Sequence, residues 1–210
     1  MIPAHRRILL GRRRRGLGLV ELLVGLAIVA ALLVAVAVGT HASFQAYAVN
    51  QEYSQLNQRA RVAVHRMLSD IRTAEAHAVD TNPSSAGNTS FKAGTIVSGS
   101  KTIAMYDSSD ALHVYRWDSA AKKLYADVKP FGATTTSSYT LLEGVDNFAV
   151  TLEPMKSLTA ARTGGQYDVL KRATILLTVR ATGSGDERGD NGEQQTMTVS
   201  SSVVPRKNVW

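Results

Sequence analysis

One carboxylate lies inside a long apolar segment near the start of the chain. Between Leu17 and Gly39 the sole charged side chain is Glu21, and the run Arg12-Arg13-Arg14-Arg15-Gly16 comes directly before that segment. Placing a carboxylate at the centre of a bilayer costs about 2.5–3.5 kcal/mol on insertion scales, so an acid in such a segment is a functional candidate. The chemistry open to it is pairing with a cation.

The residues around Glu21 resemble the processing site of type IV prepilins. The local sequence is Gly16-Leu-Gly-Leu-Val-Glu21-Leu-Leu-Val24. In that family a glycine precedes the cleaved bond and a glutamate is fifth in the mature chain. The sequence departs from the commonest form at Leu17, usually phenylalanine, and at Gly18, usually threonine. The resemblance implies cleavage after Gly16 by a prepilin peptidase and N-methylation of Leu17.

Cleavage after Gly16 would create the cation that Glu21 needs. A free α-amino group has a reference pKa of about 8, so that of Leu17 would be mostly protonated at neutral pH. Left unpaired inside an apolar assembly, this charge is expensive. Glu21 lies in the first helical turn, where a carboxylate also suits the helix macrodipole. We predict that Glu21 pairs with the Leu17 amine of its own chain or of a neighbouring subunit; alternatively, it is an interfacial charge of a plain membrane anchor.

The basic charge of the chain is concentrated before the apolar segment. The formal net charge is +7, and residues 1–16 contribute six arginines and no acid, which leaves 18 basic against 17 acidic residues in the remainder. Positive charge beside an apolar segment holds that end in the cytoplasm. We therefore read the arginines as a topology signal rather than a nucleic-acid site, and expect a single-pass inner-membrane protein with an extracytoplasmic C-terminal domain. The chain has no cysteine, which says nothing about its compartment.

A stripe of small residues also favours assembly. Ala27, Ala31, Ala35 and Gly39 recur every four residues, on one face of a helix. Small residues let apolar helices approach closely in lipid. Alanine is also ordinary filler in such helices, so the stripe gains its meaning together with Glu21.

A conventional secretory signal is the competing interpretation. Arg12–Arg15 would be its charged region, Leu22–Val34 its apolar region and Ala35-Val36-Ala37 its cleavage site. This would release a soluble domain, but it leaves Glu21 and the helical pattern after Gly39 unexplained.

The helical pattern continues beyond the apolar segment. Apolar residues recur mostly at steps of three and four, and residues 40–79 contain no Pro or Gly. The members of this pattern are Phe44, Tyr47, Leu56, Ala60, Ala63, Met67, Ile71, Ala74 and Ala78. We predict one helix from about Leu19 to Ala78, with a membrane half (17–39) and an amphipathic half (40–79).

A period of two replaces the helical period after the loop at residues 80–88. Residues 111–117 and 122–128 predict a hairpin, and further strands are expected around Phe148–Leu152, Ala173–Val179 and Met197–Val203. Short turns between strands imply an antiparallel sheet with one face covered. The predicted fold is α+β: a long N-terminal helix whose amphipathic half packs on a C-terminal antiparallel β-sheet, residues 80–210, as in pilins.

The C-terminal part resembles PilW-like minor pilins and the J-type minor pseudopilins of type II secretion. The similar segments are Arg59–Ala74, Val114–Asp118, Leu124-Tyr125 and Leu142–Phe148. The resemblance implies a structural subunit at the tip or in the initiation complex of a pilus or pseudopilus. Its partners would be other pilin subunits, the prepilin peptidase and membrane lipid; no nucleic acid, small molecule or cofactor is indicated.

No enzymatic motif emerges from the sequence. We find no HExxH, GxSxG or phosphate-binding glycine loop, and the five histidines show no metal-ligand spacing. An acidic loop could bind calcium through oxygen ligands, but a solvated hairpin tip has the same composition. Its residues are Asp186, Glu187, Asp190, Asn191 and Glu193. We predict that the chain is not an enzyme.

Overall fold

A computed structural model describes residues 18–82, 86–155, 169–180 and 196–206 of the chain. Gly16, Leu17 and the acidic loop at 186–193 lie outside these residues. The chain divides into two compact units, Met1–Val49 and Asn50–Trp210, which we describe separately.

The first unit contains the N-terminal part of helix α1, which spans Leu19–Thr73. The large apolar side chains between Leu19 and Val38 are 52–77 % exposed. Among the described residues, α1 is the one helix that is long and apolar enough to cross a membrane, judged by length and composition. An α-helix suits that environment because it satisfies its backbone hydrogen bonds internally.

The second unit begins with the amphipathic part of α1. Its buried residues follow the helical spacing of three and four that the sequence predicts. They are Leu56, Ala60, Ala63, Val64, Met67 and Ile71. They share one hydrophobic cluster with strand residues such as Phe148, Ile175 and Leu177, which confirms that this part of the helix packs on the β-structure.

The helix ends earlier than predicted. It stops at Thr73 instead of Ala78, and Ala76–Ala78 form strand β1. The backbone N–H of Glu75 already donates to the carbonyl of Tyr106 at 2.8 Å. Pairing with a distant strand therefore takes these backbone groups away from the helix, a competition that helical periodicity does not reveal.

The remaining elements are one short helix and eight strands in the part of the chain that the structure describes. They are α2 (Ala86–Lys92), β2 (Val97–Ser100), β3 (Thr102–Tyr106), β4 (Leu112–Asp118), β5 (Lys123–Lys129), β6 (Ser137–Glu143), β7 (Val145–Pro154), β8 (Leu170–Arg180) and β9 (Thr196–Val203). The predicted 111–117 and 122–128 hairpin is confirmed as β4–β5, in which Asp118 pairs with Lys123. All observed strand pairs are antiparallel.

The strands form two sheets where the sequence predicts one. Their orders are β1-β3-β4-β5-β6 and β2-β7-β8-β9. The chain leaves the first sheet at Gly144, whose φ of 72° lies in the region that favours glycine. The next residue, Val145, donates its N–H to the carbonyl of Lys122 at 2.9 Å. This corner redirects β7 into the second sheet; the α+β class is confirmed and the single sheet is corrected.

Side-chain hydrogen bonds join the layers of this unit. The hydroxyl of Tyr115 donates to Oδ2 of Asp70 on α1 at 2.5 Å. Nε2 of His77 lies 3.0 Å from the carbonyl of Ile71. Nε1 of Trp117 donates to the carbonyl of Val145 at 3.1 Å, which ties the two sheets together.

The segment predicted as a plain loop contains a buried polar cluster. Oδ1 of Asn88 accepts hydrogen bonds from the backbone N–H groups of Val79 and Asp80. Its Nδ2 donates to the carbonyls of Asp80 and Asn82, both at 2.8 Å. Asn88 is fully buried on α2, so one amide organises a turn whose residue types alone predict only irregular structure.

Candidate assembly segment

Glu21 lies in the first turn of α1. Its Oε2 accepts a hydrogen bond from the backbone N–H of Gly18 at 3.1 Å. The helix itself closes its first turn with Leu22 N–H donating to the Gly18 carbonyl at 3.2 Å. A glutamate at the third helical position that reaches back to the backbone before the helix is half of a capping box. The carboxylate therefore satisfies one of the N–H groups that every helix start leaves without an internal partner.

This geometry directs the carboxylate towards the backbone N–H of Gly18, the first residue that the structure describes. Leu17 is the residue directly before Gly18, and both it and Gly16 lie outside the described residues. The ion pair between Glu21 and the Leu17 amine therefore stays a prediction. The described contact does establish that the side chain points back along the helix towards its N-terminus.

The small-residue stripe lies on the exposed part of α1. Ala27, Ala31, Ala35 and Gly39 are all exposed. A Cβ placed on Gly25 or Gly39 would meet nothing within 4 Å. Neighbouring positions in the stripe are separated by a rise of about 6 Å along the helix. None of the described residues of this unit, 18–49, covers the stripe, and its role in lateral packing stays a prediction.

Two hydroxyl groups mark the end of the apolar segment, and sequence reasoning missed their role. Oγ1 of Thr40 donates to the Val36 carbonyl at 2.7 Å, and Oγ of Ser43 donates to the Gly39 carbonyl at 2.9 Å. Each bond joins a side-chain hydroxyl to the backbone carbonyl four residues earlier. Ser and Thr on a helix commonly pair their hydroxyl groups in this way. Such bonds lower the cost of placing these hydroxyls beside lipid. A Thr or Ser at the end of an apolar run is the signal that could have identified them.

Outside this segment, Asp107 is held by structural hydrogen-bond partners. Burial opposes ionisation of Asp107, but hydrogen bonds from Ser109, Ala111 and His113 outweigh it and lower the pKa of Asp107 to about 2. His113 is the other half of this pair, with Nε2 at 3.1 Å from Oδ2 of Asp107. Within the described ranges no three His, Cys, Asp or Glu residues are grouped as metal ligands. The acidic loop at 186–193, for which calcium binding was considered, falls outside those ranges.

Comparison with known families assigns the N-terminal segment to a class. Residues 11–37 match the family model described as the prokaryotic N-terminal methylation motif, the signal found on structural subunits that are made as precursors. The match supports a type IV pilin-like family. Proteins with this motif are in general processed by a prepilin peptidase and assemble with other pilin subunits. No significant match was found among curated proteins or among solved structures.

The matched range covers the chemistry-bearing residues of the sequence analysis. Gly16, Leu17 and Glu21 fall inside it, as do Ala27, Ala31 and Ala35, whereas Gly39 lies two residues beyond its end. The motif and the apolar part of α1 together indicate a membrane-anchored precursor. The β-structure after Asn50 lies outside the match.

Proposed function

We propose that the chain is a minor type IV pilin or pseudopilin, a structural subunit for initiation or tip assembly of a pilus or pseudopilus. The observation that carries the proposal is the Glu21 carboxylate, held at the Gly18 N–H in the otherwise apolar and exposed first part of α1. A charge in that place needs a cation, and cleavage before Leu17 would supply one; the methylation motif matched at residues 11–37 supports such processing.

The minor-subunit role rests on the segments that resemble PilW-like and J-type proteins. In this structure those segments contact one another: Tyr115 of β4 bonds to Asp70 of α1, and Trp117 bonds to Val145 at the corner between the sheets. The similar segments therefore contact one another within the framework of the second unit and are not scattered through it.

Mass spectrometry of the mature N-terminus tests the processing step. We expect a chain that begins at Leu17 and carries a methyl group on its amine. A chain that begins near Val38 would instead identify a conventional secreted domain, and an uncut chain would identify a membrane-anchored binding domain. Either result would end the proposal.

Replacement of Glu21 tests the assembly step. We expect Glu21→Ala to be cleaved normally but to enter filaments at least about tenfold less, because an unpaired buried amine costs well over the 1.4 kcal/mol that corresponds to a factor of ten. Glu52→Ala is the matched control, since Glu52 is an exposed acid on the same helix beyond the apolar segment. Normal assembly of the Glu21 variant would contradict the pairing.

A role at the tip or in initiation predicts that the subunit is scarce in filaments and yet strongly affects how many filaments form. Deleting the chain should lower the number of filaments, while the subunit itself is present at a few copies in each filament. Quantitative mass spectrometry of sheared filaments measures both. A copy number that rises in proportion to filament length would identify a major subunit instead.

A further inference from the structure

The two sheets have four edges, two of them protected and two open within the described residues. Strand β1 is three residues long and fully buried, and β2 is four residues long with a bulge and Gly99 at a φ of 73°. Short strands and bulges are the usual protection against unwanted pairing. Strands β6 and β9 are seven and eight residues long and contain no Pro, Gly or Lys; the one register shift of β6 lies near its end, at Leu141. Among the described residues, one edge of each sheet is thus protected and the other is open.

Strand β6 is the more accessible of the two open edges. Ser137 to Thr140 are all exposed and pair regularly with β5, and the register shifts only at Leu141. In an antiparallel strand every second residue directs its N–H and C=O away from the paired neighbour. No partner for these groups on the outer side is found among the described residues. In β9, by contrast, alternate side chains are already half-buried.

A groove runs between this edge and helix α1. Its volume is about 570 Å³, and its walls are Leu56, Val62 and Ala63 of α1 and Leu141 and Leu142 of β6. Val62 is 63 % exposed, although it belongs to the half of α1 that packs on the sheets. Grooves of this size accommodate several side chains. Side chains on one face of an added strand would enter it, because successive side chains of a strand alternate between faces.

The charge at the rim of this groove is positive. Arg59 is exposed, lines the groove and has no ion pair within the described part of the chain. Glu143, the acid at the same rim, is already neutralised by Nζ of Lys123 at 2.6 Å. An occupant with a carboxylate near Arg59 would therefore be favoured over a basic one.

We propose that β6 and this groove bind an extended segment of a partner polypeptide by strand addition. The segment has apolar side chains at alternate positions, which enter the groove, and a carboxylate opposite Arg59. Backbone hydrogen bonds to the open edge supply affinity, and the groove and the arginine supply selectivity. The inference does not depend on filament assembly, because the surface belongs wholly to the second unit.

Peptide binding to the full chain in detergent micelles tests the proposal. The probe is an eight-residue peptide in which valine alternates with threonine and the last valine is replaced by glutamate, so that the carboxylate lies on the same face as the other valines. We expect hydrogen-exchange mass spectrometry to show protection of residues 137–142 and no change at residues 196–203. Thr140→Lys should weaken binding about tenfold or more, because a lysine on an edge opposes pairing. Thr198→Lys, the same change on the β9 edge, is the matched control and should bind normally.

A charge exchange tests the role of the arginine. Arg59→Glu should weaken binding of the glutamate peptide about twofold to fivefold, the range of an exposed ion pair, and strengthen binding of the corresponding lysine peptide. Arg61→Glu, an exposed arginine beside the other groove, should leave both affinities unchanged.

Three outcomes would overturn the inference. One is the absence of protection at β6 up to the solubility limit of the peptide. Another is equal weakening by Thr140→Lys and Thr198→Lys. The third is protection of β6 that rises with protein concentration in the absence of peptide, which would identify a second copy of this chain as the occupant.

Discussion

Glu21 has two possible tasks, and its geometry separates them. Its Oε2 already accepts the Gly18 N–H, as a helix cap would. An ionised carboxylate has about four lone-pair sites, so it can hold this bond and a terminal amine together. Helix capping needs an oxygen acceptor, whereas the ion pair needs a negative charge. A neutral side chain of the same shape can perform only the first task.

Glu21→Gln exploits that difference. Its amide oxygen can still accept the Gly18 N–H, so the start of the helix should persist. We expect incorporation into filaments to fall as far as in Glu21→Ala, because both variants leave the Leu17 amine without a counter-charge. Quantitative mass spectrometry of sheared filaments compares them. Wild-type incorporation of Glu21→Gln would assign the residue to capping alone.

Tyr115 provides the corresponding test in the second unit. Its hydroxyl bonds to Asp70, and burial together with that carboxylate raises the pKa of Tyr115. Tyr115→Phe leaves the acid without this partner and should lower the free energy of unfolding by about 1–3 kcal/mol. Tyr125→Phe is the control, because the Tyr125 ring beneath Arg116 is retained. Denaturant unfolding of the full chain in micelles measures both, and equal effects would contradict the argument.

At the scale of the elements, the sequence predicted those helices and strands that follow from a local apolar periodicity. The buried face of α1 and the strands β4, β5, β7, β8 and β9 follow periods that a single sequence displays. The end of α1 at Thr73 and the strand β1 depend on Tyr106, which is 31 positions beyond Glu75. Likewise, α2 is organised through the buried amide of Asn88. Contacts between distant residues set these boundaries, so the periodicity of the local sequence could not predict them.

The candidate site likewise has some features that the sequence shows and others that only the structure shows. The chemical character of Glu21 and the apolar segment are visible in the sequence, since both depend on residue type and spacing. The hydrogen bond to Gly18 and the hydroxyl bonds of Thr40 and Ser43 require coordinates. The open β6 edge was missed altogether, because a strand with two consecutive leucines at its end shows no alternating pattern.

The small-residue stripe gives a prediction for α1 as an element. Ala31→Leu adds bulk in the middle of the stripe and should lower filament incorporation several-fold, since close helix approach in lipid requires small residues. Val29→Leu adds bulk about 200° away around the helix and should be tolerated. Equal incorporation of the two variants would show that the stripe has no special role.

For the whole second unit, His77 lies where the end of α1 meets the first sheet. Burial lowers the pKa of His77 from 6.5 to about 4, and the bond to the Ile71 carbonyl only partly opposes this. His77 is thus neutral when folded over a range in which the unfolded chain binds a proton. The free energy of unfolding should therefore fall as the pH is lowered from about 6.5 towards 4, by about 2–3 kcal/mol.

Two aspartates change the free energy of unfolding at a lower pH than His77 does. The contribution of His77 can therefore be measured separately. Burial opposes ionisation of Asp107 and Asp146, but hydrogen bonds lower the pKa of both, that of Asp107 to about 2. Their contribution is present above the ordinary aspartate pKa and is lost as the pH falls below it. Urea unfolding followed by tryptophan fluorescence between pH 7 and 4.5 should thus report mainly on His77. His77→Gln should flatten that slope, whereas His65→Gln, an exposed histidine on α1, should not; an unchanged slope in His77→Gln would place the titrating group elsewhere.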